Sequence, residues 1–155
     1  MQKACNGTCA LNLVRKENAK ERRKDLRVRK QKLKTKAEWA KEVQAVFNKY
    51  IRLRDAKESC ISCGRNHDGQ YHAGHYKSVG AHPELRFEPL NCHKQCAPCN
   101  NHLSGNITNY RVGLLKKIGE EKLTWLEGNH PPAKYSIDDL KEIKKDYQKK
   151  IRNYL

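Results

Sequence analysis

The sequence predicts an α+β fold that is mostly helical, and three observations predict it. Long stretches on both sides of the chain's middle repeat their apolar residues at steps of three and four. The middle, Cys60 to Asn106, alternates only briefly between frequent Gly and Pro breakers. Two Cys-x-x-Cys pairs, Cys60/Cys63 and Cys96/Cys99, bracket that middle, and six of the seven histidines lie inside or just beside the bracket.

Composition bounds what such a chain can do. At 155 residues and 37% hydrophobic content the core is expected to be small, so something besides apolar burial should hold it together. A formal charge of +16 exceeds what solubility requires and predicts attraction to a polyanion, nucleic acid first. No run approaches the roughly 18 apolar residues of a spanning helix, and nothing near Met1 resembles the apolar centre of a signal peptide. The expected location is the cytoplasm, where closely paired cysteines read as metal ligands rather than disulfides.

Taken in order, Cys5-x-x-x-Cys9 has the spacing of half a metal knuckle. From Arg15 to Lys36 there are 12 Lys/Arg against 3 Asp/Glu, in good helix formers with sparse apolar positions. This reads as a solvated basic helix, and equally as an arm whose Arg22, Arg23, Lys24, Arg27 and Lys30 lie along phosphates. Residues 1–36 are therefore expected to form the arm and residues 37–155 a single domain.

Thr35 to Glu38 has the spacing of a capping box, followed by Trp39, Val43, Val46/Phe47, Tyr50 and Leu53, an amphipathic helix expected to end before Ser59. Segments around Gln70 to Tyr76 and Leu85 to Phe87 read as a small hairpin with a long loop. From Asn100 the pattern turns helical, with Tyr110, Leu114, Leu115 and Ile118 on one side. Gly119 and the Gly128 to Pro132 run punctuate two short helices. A last helix begins at Ser136, with Ile137, Leu140, Tyr147, Ile151 and Leu155 along one face.

Four thiolates in two knuckles suit tetrahedral zinc, which, once four-coordinate, has no position left for catalysis. The 32 residues between Cys63 and Cys96 exceed a zinc-ribbon gap, so the zinc is expected to staple a loop that holds other chemistry. In that loop stand His72-Ala73-Gly74-His75 and Asn91-Cys92-His93, and directly after the second knuckle Asn100-Asn101-His102. Imidazoles and amides at a hairpin are what a one-metal nuclease needs. A neutral histidine takes a proton from water, and a hard ion with open positions neutralises phosphate charge. Such histidines also occur as ligands of zinc alone.

The run Cys60-Ile-Ser-Cys63-Gly64, with Ala73-Gly74-His75-Tyr76, Leu85-Arg86-Phe87, His93-Lys94-Gln95-Cys96, Cys99-Asn100 and Ser104-Gly105-Asn106, resembles the NinG proteins of lambdoid phages, also called Rap. The same region is similar to the wider HNH, or ββα-metal, nucleases built on a zinc-stabilised treble clef. The resemblance implies a recombination endonuclease that cuts branched DNA, including Holliday junctions and D-loops. By position, His75 resembles the general base, Asn91 the asparagine that braces the active-site loop, and Asn100 the third HNH position that reaches the metal. His72 stands where relatives carry an acidic residue and is a candidate second ligand, with His102 in reserve for the metal or a phosphate. His67 and His82 have no assigned role. The family commonly has a further cysteine pair ahead of Cys5-x-x-x-Cys9, so the N-terminal knuckle is expected to be incomplete.

The resulting expectation is structural zinc on the four cysteines and catalytic Mg²⁺ or Mn²⁺ near His72, Asn100 and His102. Arg86, Lys94, Arg111 and the basic arm would hold phosphates. A homodimer engaging two arms of a junction and recombination proteins of phage or host are the expected partners. The rivals are a non-catalytic zinc module that binds DNA, a sequence-specific homing-type nuclease, and an RNA-binding protein.

Overall fold

The computed structural model describes residues 6–154; Cys5 and Leu155, both singled out in the sequence, lie outside them. The chain divides into two compact units between Glu38 and Trp39. The first is dominated by α1 (Gly7–Lys32), whose N-cap Asn6 accepts a hydrogen bond from Cys9 N at 2.9 Å. None of its residues is buried, so helix propensity and solvated charge sustain it rather than packing. Arg22, Arg23, Lys24, Arg27 and Lys30 are all exposed on it.

At the boundary the capping box forms: Thr35 Oγ1 accepts from Glu38 N at 3.3 Å and Glu38 Oε2 accepts from Thr35 N at 2.8 Å. It starts α2 (Lys36–Arg54), which buries Trp39, Val43, Phe47 and Ile51. These pack with Phe87, Cys92, Leu140 and Tyr147 into the first of two apolar cores of the second unit. The second core joins Tyr76 and Leu85 to Tyr110, Leu114, Leu123 and Leu126.

Between α2 and the later helices lies a two-stranded antiparallel sheet, β1 (Tyr71–His75) with β2 (Cys92–Cys96). The expected partner of the first strand, Leu85 to Phe87, is not a strand. Leu85 ends a single 3₁₀ turn, Pro83–Leu85, and a second turn, Pro89–Asn91, follows. The prolines explain the difference: Pro83 and Pro89 have no N–H to give a ladder, whereas residues 92–96 contain neither Pro nor Gly.

The helix expected from Asn100 is delayed. A π turn, Pro98–His102, holds the second knuckle, and Ser104, Gly105 and Asn106 take left-handed φ values of 46°, 87° and 45° before α3 (Ile107–Ile118) begins. Gly105 supplies the residue type that conformation favours. The helices α4 (Glu120–Glu127) and α5 (Ile137–Arg152) complete the unit, and α5 opens on a reciprocal capping box between Ser136 and Asp139. On α5, Leu140, Tyr147 and Ile151 face the core while Ile137 is exposed. Among the described residues no helix is long and apolar enough to cross a membrane.

Candidate metal centre and hairpin site

The two knuckles meet. The Sγ atoms of Cys60, Cys63, Cys96 and Cys99 all lie within 4.8 Å of one another, with Cys63 and Cys96 at 3.9 Å. Tetrahedral zinc with Zn–S bonds of about 2.3 Å needs sulfurs about 3.8 Å apart, so this donor set fits. Gly64, at φ 66°, turns the first knuckle and returns its N–H to Cys60 O at 2.8 Å.

Donors surround the sulfurs. Cys96 N reaches Cys60 Sγ at 3.4 Å, Asn106 Nδ2 reaches Cys99 Sγ at 3.4 Å, and His67 Nε2 lies 3.3 Å from Cys63 Sγ. Burial disfavours ionising Cys60, but the amides of Cys63, Cys96 and Ser62 outweigh it and bring the thiol down to about 7. Burial pushes Cys96 up to about 12. Four adjacent thiolates thus require a cation among them, which a dication with soft-ligand preference supplies. His67, without a role in the sequence, faces this cluster, held by its own N–H to Tyr71 Oη at 2.7 Å.

The strand register sorts the remaining candidates by face. His72 pairs with Gln95 and Gly74 with His93, so these four share one face; Tyr71, Ala73 and His75 share the other with Cys92, Lys94 and Cys96. His72 and His75, expected around one ion, therefore project to opposite faces. They are three residues apart, an odd step in a strand of period two.

His75 is half-buried near the Phe47 ring at 5.9 Å. Its Nε2 donates to Arg86 O at 3.0 Å, which leaves Nδ1 as the lone-pair nitrogen, 3.7 Å from Cys92 Sγ. Burial holds its pKa below the ordinary value, so the ring is neutral at pH 7. Asn91, fully buried, donates from Nδ2 to Lys77 O and Leu85 O at 3.0 and 3.1 Å and accepts from Lys77 N at 2.7 Å. Both ends of the loop between the strands are fastened by that one side chain.

Asn100 is half-buried at the π turn, with its Oδ1 toward Gly74 and its Nδ2 donating to Asn101 Oδ1 at 2.8 Å. His102 is exposed at the end of the same turn. His93 is buried against Tyr110, whose hydroxyl donates to Gly74 O at 2.9 Å and accepts from His93 Nδ1 at 3.3 Å. Burial depresses His93 to about 3, keeping it neutral in the interior.

Three cations expected at phosphates have hydrogen-bond partners within the chain. Arg86 donates to Gln44 Oε1 at 2.9 Å, Lys94 Nζ caps Ala56 O and Glu58 O at 2.9 and 2.7 Å, and Arg111 forms a two-point pair with Glu127 at 2.8 and 3.0 Å. In each case a carbonyl, amide or carboxylate lies within reach of the folded side chain, and sequence spacing did not reveal it.

The model of the Bacteriophage Lambda NinG protein family matches residues 2–154. The chain belongs to the NinG family. Protein ninG of Escherichia phage lambda is 43% identical over 167 residues, covering 96% of this chain and 82% of that protein. Protein ninG of Salmonella phage P22 is 41% identical with the same coverage. Protein ninG of Escherichia phage 933W is 42% identical over 128 residues, covering 83% of this chain and 64% of the relative, so this NinG chain spans less than two thirds of that protein. No solved structure matches it.

Proposed function

We propose that this NinG-family chain is a zinc-stapled DNA endonuclease of the HNH, ββα-metal type that hydrolyses phosphodiesters in branched recombination intermediates, Holliday junctions and D-loops among them. The observation that supports it most is the hairpin: a four-thiol cluster at its base, a loop braced by Asn91, and a neutral imidazole on His75 at the end of β1.

His75 Nδ1 is the basic nitrogen, because Nε2 spends its hydrogen on Arg86 O, and it would accept the proton of an attacking water. Asn91 holds the loop that places Arg86 O, and so orients the ring. Asn100 Oδ1 and His72, on the sheet face opposite the one His75 shares, would hold a hard ion, Mg²⁺ or Mn²⁺, that neutralises phosphate charge when bound. The scissile phosphate would therefore have to reach around the end of β1 to meet both. The zinc-type cluster has all four positions taken by sulfur and serves the fold.

The exposed cations of α1 supply sequence-independent attraction to backbone phosphates. The protein would work in the cytoplasm of the infected host, as a homodimer on the two arms of a junction and beside recombination proteins of phage or host. The test is cleavage of a labelled four-way junction and a linear duplex of the same sequence, in Mg²⁺, Mn²⁺ or EDTA, by wild type and His75→Ala. Metal-dependent cutting of the junction alone, reduced at least 100-fold in the variant, is expected.

A second reading, a non-catalytic zinc module that binds DNA, draws on the same His75, which has one nitrogen on a backbone carbonyl and the other against a thiol. Junction binding without cutting in any metal would establish that reading instead.

A further inference from the structure

Two buried polar atoms on the α3-facing side of the hairpin have no hydrogen-bond partner, His72 Nε2 and Gln95 Oε1. Gln95 is fully buried and sits directly across the ladder from His72, on the same face. Its amide orientation is set by its donors: Nε2 gives its hydrogens to Ser62 Oγ at 2.7 Å and Gly105 O at 2.5 Å. Gly105 O is acceptor-only, so a flipped amide would place two carbonyl oxygens against each other. Oε1 is therefore the atom that faces Gly74. Leaving it unpaired costs about 1–3 kcal/mol, so something else is expected to satisfy it.

Gly74 makes the room. A Cβ built there would collide with Gln95 Oε1 and stand 3.0 Å from Asn100 Oδ1, so both oxygens crowd the space that this glycine leaves open. Asn100 Nδ2 is committed to Asn101, which leaves Oδ1 as the inward atom there too. Amide oxygens are ligands for a hard cation. A water molecule has hydrogens for both oxygens and a lone pair for a His72 Nε2–H, so it is the rival occupant that the test must separate from a cation. A divalent ion accepts lone pairs from both oxygens, and the partial exposure of Asn100 leaves it an open side.

We infer that Gln95 Oε1 and Asn100 Oδ1, with His72 across the ladder from Gln95, form a seat for a hard divalent cation above Gly74, and that Gln95 is a ligand of it. Every donor in this set is uncharged. Cation affinity rises with the charge of the ligands, so the ion is held weakly by the protein alone and firmly only when a phosphate oxygen completes its shell. Ion and DNA then bind cooperatively, the presence of each raising affinity for the other by the same factor. The second clause rests on the nuclease reading; the seat itself does not.

The test is Mn²⁺ binding to the zinc-loaded full chain, followed by the electron paramagnetic resonance signal of the free ion. Wild type is expected to bind Mn²⁺ weakly. Asn100→Asp, which adds one negative charge to the set, is expected to tighten binding at least tenfold. Gly74→Ala, whose Cβ occupies the seat, is expected to abolish the gain when combined with Asn100→Asp, and Gln95→Ala to weaken wild-type binding at least tenfold. Zinc content and helical circular dichroism verify the fold of each variant. If Gln95→Ala does not fold, the Asn100→Asp and Gly74→Ala pair decides the matter.

An Asn100→Asp chain that binds Mn²⁺ no more tightly than wild type, or a gain that survives Gly74→Ala, overturns the seat and leaves a bridging water. Because binding is read without cleavage, the two proposals fail separately. Mn²⁺ bound in this pattern without DNA cutting keeps the seat and removes the nuclease, while junction cutting by a chain whose Mn²⁺ affinity ignores these substitutions does the reverse.

Discussion

Asp55 is the residue on which most of the hairpin's outer fastening converges. It is 3% exposed, yet it receives Arg54 Nε and Nη2 at 2.8 and 2.7 Å, Lys117 Nζ at 3.1 Å and Lys94 N at 3.1 Å. Arg54 in turn donates to Pro89 O and Cys92 O, so one buried carboxylate links the end of α2 to the start of β2 and to α3. Burial alone would raise its pKa; the bonds and charge of Arg54, then Lys117 and Lys94 N, outweigh it and hold the carboxyl at about 2, against 3.8 unperturbed. A depressed carboxyl stabilises the fold above its unfolded pKa and loses that contribution as pH falls through the folded value. The linkage is worth about 2 kcal/mol. Asp55→Asn is therefore expected to cost about 3 kcal/mol at pH 7, since it also takes the carboxylate from the partly buried Arg54. The gap between variant and wild type should narrow between about pH 4 and pH 2, as urea denaturation would record; a gap independent of pH would mean that the carboxylate is not ionised in the fold. Nothing in Arg54-Asp55 distinguishes it from any exposed ion pair in the sequence, because its partners are 39 and 62 residues away.

Among the elements, α3 is placed by its closest approach to the first knuckle. A Cβ on Gly113 would run into the carbonyl oxygen of Ile61, and Ile61 N is itself bonded to Lys94 O at 3.0 Å. The helix can therefore lie against the knuckle only because residue 113 has no side chain. Gly113→Ala is expected to gain about 1 kcal/mol of helix propensity and lose up to about 3 kcal/mol through displaced backbone, because the obstructing atom is a carbonyl oxygen. The net result is a lower midpoint in thermal unfolding and faster zinc release to a chelator; a more stable variant would show that the helix slides freely. The helices themselves were legible in advance. Period and capping boxes at Thr35 and Ser136 are local signals, readable within a few residues. Strand pairing was not: the sequence pointed to residues 85–87 as the partner of β1, whereas the ladder, chosen by long-range register, forms with residues 92–96. Gly74 inside a strand was the one visible hint of a close approach, and the unpaired Gln95 oxygen is what approaches.

At the scale of the molecule, two modest apolar cores flank the sheet, and the thiol cluster sits at the end of it where Tyr71 pairs with Cys96. In a chain with this little apolar content, structural zinc should supply a large part of the folding free energy. One zinc per chain is expected by elemental analysis, lost when Cys60, Cys63, Cys96 or Cys99 is replaced by Ala and retained in Cys92→Ala. Chelation should abolish the cooperative unfolding transition. Zinc loss in Cys92→Ala, or a transition unchanged after chelation, would count against the assignment. Cys92 makes the contrast useful: equally buried, it packs with Phe47 and Leu140 and faces His75 rather than the cluster.

Spacing, periodicity and composition are properties of neighbouring residues, and they were enough for the four cysteines, the family, the existence of the helices and the charge of the arm. The tertiary structure alone decided which strand pairs with β1, that His72 and His75 project to opposite faces, that Arg86, Lys94 and Arg111 have hydrogen-bond partners within the chain, and that Gln95 turns an unpaired oxygen toward Gly74. Each of these depends on which groups meet across loops of many residues. Those meetings are fixed by burial and hydrogen-bond accounting over the whole fold, and no local window of sequence contains them.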